Sequence, residues 1–230
     1  TRDHSPETIA AAMARARRKS QAVAVHAGEA NREDIESALA LQPDFLVHMN
    51  RAEDADLRQV ASRGISVVVC PRSNLMTGVG LPPVAAMARL GINLAAGTDN
   101  VMISSPDMFE EMHIAALIHK GAQMQPTLVT AEEVLKMATV NGAKAIGFEN
   151  EVGQIREGLK ADIILIDMDK PHIVPVNDYI AALAYCVQGS DVDTVIVDGN
   201  ILMENRELKT IDEEKAKSKV KEISKRILGN

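Results

Sequence analysis

Four places in the chain set polar, ionisable or turn-forming residues at the end of a short apolar run. They are Val25-His26-Ala27-Gly28-Glu29, Val47-His48-Met49-Asn50, Cys70-Pro71-Arg72-Ser73-Asn74 and Gly97-Thr98-Asp99-Asn100. Histidine with carboxylate is a donor set for zinc or another hard divalent ion. A catalytic zinc takes three protein ligands and leaves a position for water, whose pKa it lowers toward neutrality. A carboxylate nearby then shuttles protons. Glu29 follows His26 at a spacing that can return to the same pocket.

Each residue also has a plainer reading. A single histidine at a strand end is more often a hydrogen-bonded structural residue than a ligand. Asp99 can cap the following helix, and Pro71 to Asn74 can be an ordinary turn. Packing alone does not readily give four such ends in register. His4, His113, His119 and His172 are read as structural or solvent-facing. No nucleophile elbow, Walker loop, dinucleotide fingerprint or Cys-x-x-Cys pair competes, and Pro82-Pro83 spoils Gly78-Val79-Gly80 as a phosphate cradle.

The elements that must position these residues follow from periodicity. Ala22–Val25, Phe45–Val47, Val67–Cys70 and Ile92–Ala96 are near-continuous apolar runs, the pattern of strands buried on both faces. Helical patterns lie around and between them: Ser5 to Arg18, Asn31 to Leu41, Ala52 to Arg63 and Pro83 to Leu90, the last stopped by Gly91. Alternation of strand and helix predicts a parallel sheet. In a parallel α/β barrel the carboxyl ends of the strands share one face, where catalytic groups sit.

Two longer helices are expected from Ser105 to His119 and from Thr130 to Ile146, the second opening on a capping box with Glu133. Beyond Gly147 the texture becomes β-rich. Strands are expected at Gly153-Gln154-Ile155, Lys160 to Asp167 and Val195 to Leu202, with Asp198-Gly199 as a tight hairpin turn. A charged helix from Asp212 to Leu228 closes the chain. The expected division is an α/β part over 1–150 and a small β-rich part over 151–230.

Composition narrows the function. Of 230 residues, 46% are hydrophobic and 25% charged, as in folded globular proteins. Twenty-five Lys and Arg against 32 Asp and Glu give a net charge of -7, which argues against a nucleic-acid binder. Aromatics are 2%, too few for a base-stacking platform. No apolar run nears the roughly 18 to 20 residues of a membrane span, and Thr1 to Pro6 carries no signal core. Cys70 and Cys186 are read as buried thiols of a cytoplasmic protein.

At these residues the chain resembles the amidohydrolase superfamily. The motifs are Cys70-Pro71-Arg72-Ser73-Asn74, Gly91 to Asp99, Ala138 to Gly147 and Gly153 to Asp162. The nearest branch contains cytosine deaminases, chlorohydrolases and methylthioadenosine/S-adenosylhomocysteine deaminases. The resemblance implies an α/β fold: the fifth to eighth strands of a (β/α)8 TIM barrel with their helices, plus part of a small β-sandwich. It matches His26 to a metal ligand and Glu29 to the glutamate that shuttles protons and contacts substrate. His48 matches the histidine that orients or polarises the attacked group. Asp99 matches the aspartate that touches the metal and substrate and takes a proton from water. The implied cofactor is a divalent metal, zinc first, with iron or manganese as alternatives. The implied reaction is hydrolytic deamination or dechlorination of a small heterocyclic substrate by a metal-activated water.

Two departures qualify the resemblance. The family's first-strand His-x-His pair has no counterpart in the chain, and Met49-Asn50 follows His48 where Cys or Gly is usual. A barrel typically needs about 250 residues, so an N-terminal segment or a second copy of the chain is expected to complete it. Two other readings stand beside this one. One is a doubly wound parallel sheet as the fold; the other is a non-catalytic remnant that oligomerises through its open half-barrel edge.

Overall fold

The computed structural model describes residues 5–102 and 104–229. Each apolar run becomes a strand: β1 (Ala24–Ala27), β2 (Phe45–His48), β3 (Ser66–Val69) and β4 (Leu94–Ala96). They form one parallel sheet in the order β1-β2-β3-β4. Register aligns Ala27 with His48, Val47 with Val68, and Val69 with Ala96, so the carboxyl ends lie close together. The order is sequential. A doubly wound sheet reverses its strand order at a switch point, and these strands do not, which sets that alternative aside.

Helices α1 (Pro6–Arg18), α2 (Ile35–Ala40), α3 (Asp54–Ser62), α4 (Pro71–Thr77) and α5 (Val84–Arg89) precede or connect the strands. Ser5 caps α1 by accepting from the Thr8 amide, and the last turn is basic with Arg15, Arg17 and Arg18. α2 is shorter than its sequence pattern suggests. Asp34 just before it accepts a hydrogen bond from the Gly28 amide instead of capping the helix.

α4 corrects the reading of Pro71 to Asn74 as a turn. Pro71 sits in the first helical turn directly after β3, where a missing N–H costs nothing. α6 (Met108–Gln123) starts three residues later than expected because Asp107, not Ser105, caps it. The helix expected over Thr130 to Ile146 is two helices, α7 (Ala131–Ala138) and α8 (Val140–Ala145), broken at Thr139 (ψ -97°).

β5 (Ile163–Ile166), β6 (Val192–Val197), β7 (Asn200–Glu204) and β8 (Glu207–Leu208) form a second, antiparallel sheet. Its Asp198-Gly199 turn has positive φ at both residues (49° and 76°), the twist a two-residue hairpin needs. Gly153 to Ile155 is loop rather than strand. Between β5 and β6 lies α9 (Tyr179–Tyr185), capped by Asp178 and absent from the sequence reading.

One apolar core runs through both regions. Leu46, Val67 and Met87 around the parallel sheet join Ala184 of α9 and Val187 just beyond it in the same buried cluster. α10 (Glu213–Leu228) buries no residue, and Cys186 is exposed, correcting its reading as a buried thiol. Among the described residues, no helix is long and apolar enough to cross a membrane.

Candidate metal centre at the strand ends

His26 lies one residue before the end of β1, and His48 ends β2. Asp99 follows β4 after Gly97, whose amide continues the ladder to Val69 O at 3.0 Å. The three meet. Nδ1 of His26 is 3.1 Å from Nε2 of His48, and Oδ2 of Asp99 is 3.8 Å from that same nitrogen. One ligand atom from each lies within 4.8 Å of the other two. Glu29 joins from the loop after β1, its Oε2 also 3.8 Å from His48 Nε2.

Backbone conformation holds this meeting point. His48 (φ 74°), Met49 (φ 56°) and Asp99 (φ 57°) are all left-handed, which costs a non-glycine residue and persists only where the surroundings enforce it. The enforcement is visible around His48, which is fully buried. Met49 N–H donates to Ala27 O at 3.0 Å and Arg51 N–H to Gly28 O at 2.8 Å, so the chain stays laced to β1 through the bend.

Polar groups from α4 complete the surroundings. Ser73 Oγ donates to Asp99 Oδ2 at 2.5 Å, and Asn74 Oδ1 lies 3.0 Å from His48 Nδ1. Both Ser73 and Asn74 are fully buried. Arg72 turns the other way, its guanidinium holding Ser105 O, Asp107 O, Glu110 and the fully buried Glu111. Burial pushes the Glu111 carboxyl up to about 7. Burial, with Asp99, Glu111 and Glu29 nearby, pushes the Cys70 thiol far above its ordinary value.

The donor set fits a divalent ion. Two imidazoles and a carboxylate are borderline-hard donors of the kind zinc, iron and manganese accept. Atoms about 2.1 Å from a common centre lie roughly 3 to 4 Å apart, and the 3.1 and 3.8 Å separations are of that order.

The other histidines stay outside this cluster. His113 stacks edge-on against Tyr185, and His172 pairs with Asp191 at 2.9 Å. His119 is buried on α6 with no partner for Nε2, and burial lowers it to about 4. His4 lies outside the described residues. Sequence reasoning singled out His26, Glu29, His48 and Asp99, but gave Ser73, Asn74 and Asn50 no role of their own. For Ser73 and Asn74 the signal was a proline in the first position of a helix directly after a buried strand. That placement turns the first helical residues toward the neighbouring strand ends.

Fold and site together define an α/β protein with a candidate divalent-metal centre at the carboxyl ends of a parallel sheet. The profile of the amidohydrolase family matches residues 3–202, and the chain belongs to that family. A 5-methylthioadenosine/S-adenosylhomocysteine deaminase of Acetivibrio thermocellus is 57% identical over 187 residues, covering 81% of this chain and 43% of the relative. A zinc-bound adenosine deaminase from Xanthomonas campestris superposes with a TM-score of 0.88 at 29% identity, over 94% of this chain and 53% of the other. Atrazine chlorohydrolase of Arthrobacter aurescens, in complex with zinc, shares the fold at a TM-score of 0.83 and 22% identity, over 95% and 52%. The chain therefore spans about half the length of the proteins it matches.

Proposed function

We propose that the chain carries the carboxyl-terminal half of a metal-dependent deaminase site acting on an adenine nucleoside. One observation carries this reading: His26, His48 and Asp99 converge at the carboxyl end of one parallel sheet in a family member 57% identical over 187 residues to a named nucleoside deaminase. His26 and Asp99 would hold the ion, zinc in the first instance. When bound, it would supply Lewis acidity that brings the pKa of water toward neutrality.

The overall reaction replaces a ring amine with a carbonyl and releases ammonia. The chain's own residues account for the proton traffic. Asp99 accepts a proton from the attacking water and passes it to the leaving amine, which departs as ammonia. Glu29, with a side chain 37% exposed at the mouth of the site, delivers a proton to the ring nitrogen beside the attacked carbon. His48 Nε2, facing the two carboxylates, orients the attacked group.

In this reading β1 to β4 are the last four strands of a (β/α)8 barrel, and 1–150 and 151–230 are a barrel half and a β-rich appendage. Support comes from the sequential parallel order and from superposition on about half of a zinc-bound deaminase. The remaining ligands come from outside these 230 residues, docked against the end strands β1 and β4.

The test is zinc content and ammonia release from 5′-substituted adenosines, measured on the protein together with the segment that supplies the remaining ligands, and on His26→Ala and Asp99→Asn in the same assembly. We expect both variants to lose zinc and at least 100-fold in activity while keeping their fold by circular dichroism. Undiminished activity after the metal is stripped would sink the reading.

A further inference from the structure

The chain departs from its family's habit after His48, where Asn50 stands, and the structure gives that residue a use. Asn50 Nδ2 donates to the backbone carbonyl of Glu29 at 3.3 Å. Asn50 Oδ1 accepts from Asn74 Nδ2 at 2.9 Å, and Asn74 Oδ1 sits 3.0 Å from His48 Nδ1. All three side chains are buried, with His48 and Asn74 fully so. Four residues from β2, α4 and the loop after β1 thus form a chain of hydrogen bonds that ends on a carbonyl oxygen.

That last atom fixes the direction of every bond before it. An amide side chain can flip, exchanging donor and acceptor, and an imidazole can shift its proton. A backbone carbonyl can only accept. With Glu29 O as anchor, Asn50 must present Nδ2 to it and Oδ1 to Asn74. Asn74 must then present Nδ2 to Asn50 and Oδ1 to His48. His48 must carry a proton on Nδ1, which in the neutral ring leaves the Nε2 lone pair facing His26, Glu29 and Asp99.

We propose that Asn50 and Asn74 are positioning residues that set the tautomer of His48, with the Glu29 carbonyl as the fixed end. A relay reversed in any link would turn an N–H into the metal centre in place of a lone pair. Glu29 then serves twice: its carbonyl anchors the relay, and its carboxylate faces the nitrogen the relay exposes. The catalytic meaning of this relay rests on the deaminase reading above; the tautomer itself does not.

The test is nitrogen-15 NMR of the histidine-labelled protein without added metal, the His48 signals being assigned by their loss in His48→Gln. The wild type is expected to show a protonated Nδ1 and a bare Nε2. Asn74→Leu and Asn50→Leu are expected to lose the pure Nδ1–H form and give mixed tautomers. Asn74→Asp, which keeps the acceptor, should retain it. Protonated Nε2 in the wild type overturns the proposal, as does an unchanged tautomer in Asn50→Leu or Asn74→Leu. Should Asn74→Leu fail to fold, the wild type, Asn50→Leu and Asn74→Asp still decide it. A correct tautomer in a protein with no metal-dependent deamination defeats the functional reading and leaves the relay standing. The converse result defeats the relay alone.

Discussion

Ser73 donates its hydroxyl to Oδ2 of Asp99 at 2.5 Å, and that same oxygen faces His48 Nε2 at 3.8 Å. The aspartate is therefore held from α4 while it reaches toward β2. Asp99 is left-handed, so its own backbone does not provide a relaxed alternative. Ser73→Ala should weaken zinc binding about 10-fold, the scale expected when a group supporting a ligand is removed. Ser73→Thr, which keeps the hydroxyl, should restore most of the affinity. Chelator competition reads both, and equal affinities in all three proteins would show that the bond does not hold Asp99.

Arg72 and Glu111 form a second buried link, joining the start of α4 to α6. Their side chains are 11% and 0% exposed. Arg72→Met leaves a carboxyl in the core with its cation gone, which costs about 3 to 5 kcal/mol when the partner stays charged. Adding Glu111→Gln removes that charge and should recover most of the loss. Urea midpoints of the two variants test this; a double variant no more stable than the single would rule out the stranded charge as the cause.

Gly28 is where the chain leaves β1 for Glu29. Its φ is 62°, and an added Cβ would lie 2.9 Å from Ile35 Cδ1 and 3.3 Å from Met49 Cα. Ile35 can yield, but the Met49 backbone is held by the left-handed bend beside His48. Gly28→Ala should cost about 1 to 3 kcal/mol and loosen His26 and Glu29 together. Thermal melting measures the first effect. A variant as stable as the wild type would show that the loop has room the geometry denies it.

His119 predicts the acid side of the stability profile. Burial lowers it from 6.5 to about 4, so the folded state favours the neutral ring. The unfolded chain takes up the proton first, so stability present above pH 6.5 is lost as pH falls toward 4. The loss is on the order of 3 kcal/mol. Glu111, raised from 4.5 to about 7, acts in the opposite sense, losing stability as pH rises across that window. Comparing wild type with His119→Leu at each pH cancels the Glu111 contribution. The difference should change by about 3 kcal/mol between pH 7 and pH 4 in denaturant titrations, and a flat difference would contradict a buried neutral imidazole.

The parallel strands were legible because near-continuous apolar runs bounded by glycine or proline suit a parallel sheet, although β1, at one end of the strand order, keeps Ala24 and His26 exposed. His26, His48 and Asp99 were legible for the same reason. Once β1, β2 and β4 run parallel in one sheet, residues at their carboxyl ends share one edge of it. Local pattern failed where tertiary contact decides. Thr139 breaks a helix that sequence alone would run on to Ile146, and its neighbour Asn141 spends its amide on Leu94 O in β4. Cys186 lies in an apolar stretch yet faces outward, because α9 turns its buried face through Ala182 and Ala184. Asn50 and Asn74 could not be read at all as partners: their meeting depends on the register of two strands and the angle of a helix.

Ser73 and Asn74 are consecutive residues of one short helix, and they grip different strand ends. Asp99 is held by the first and His48 by the second. The gap between these two groups is thus gauged by a single peptide unit, like the jaws of a caliper set on one bar. Drift of α4 carries both groups along and leaves their spacing intact, whereas a rotation of α4 moves them in opposite senses. Tolerance at this site should accordingly be judged by helix rotation, which Pro71 and the Arg72–Glu111 link restrain, and not by how far the helix travels.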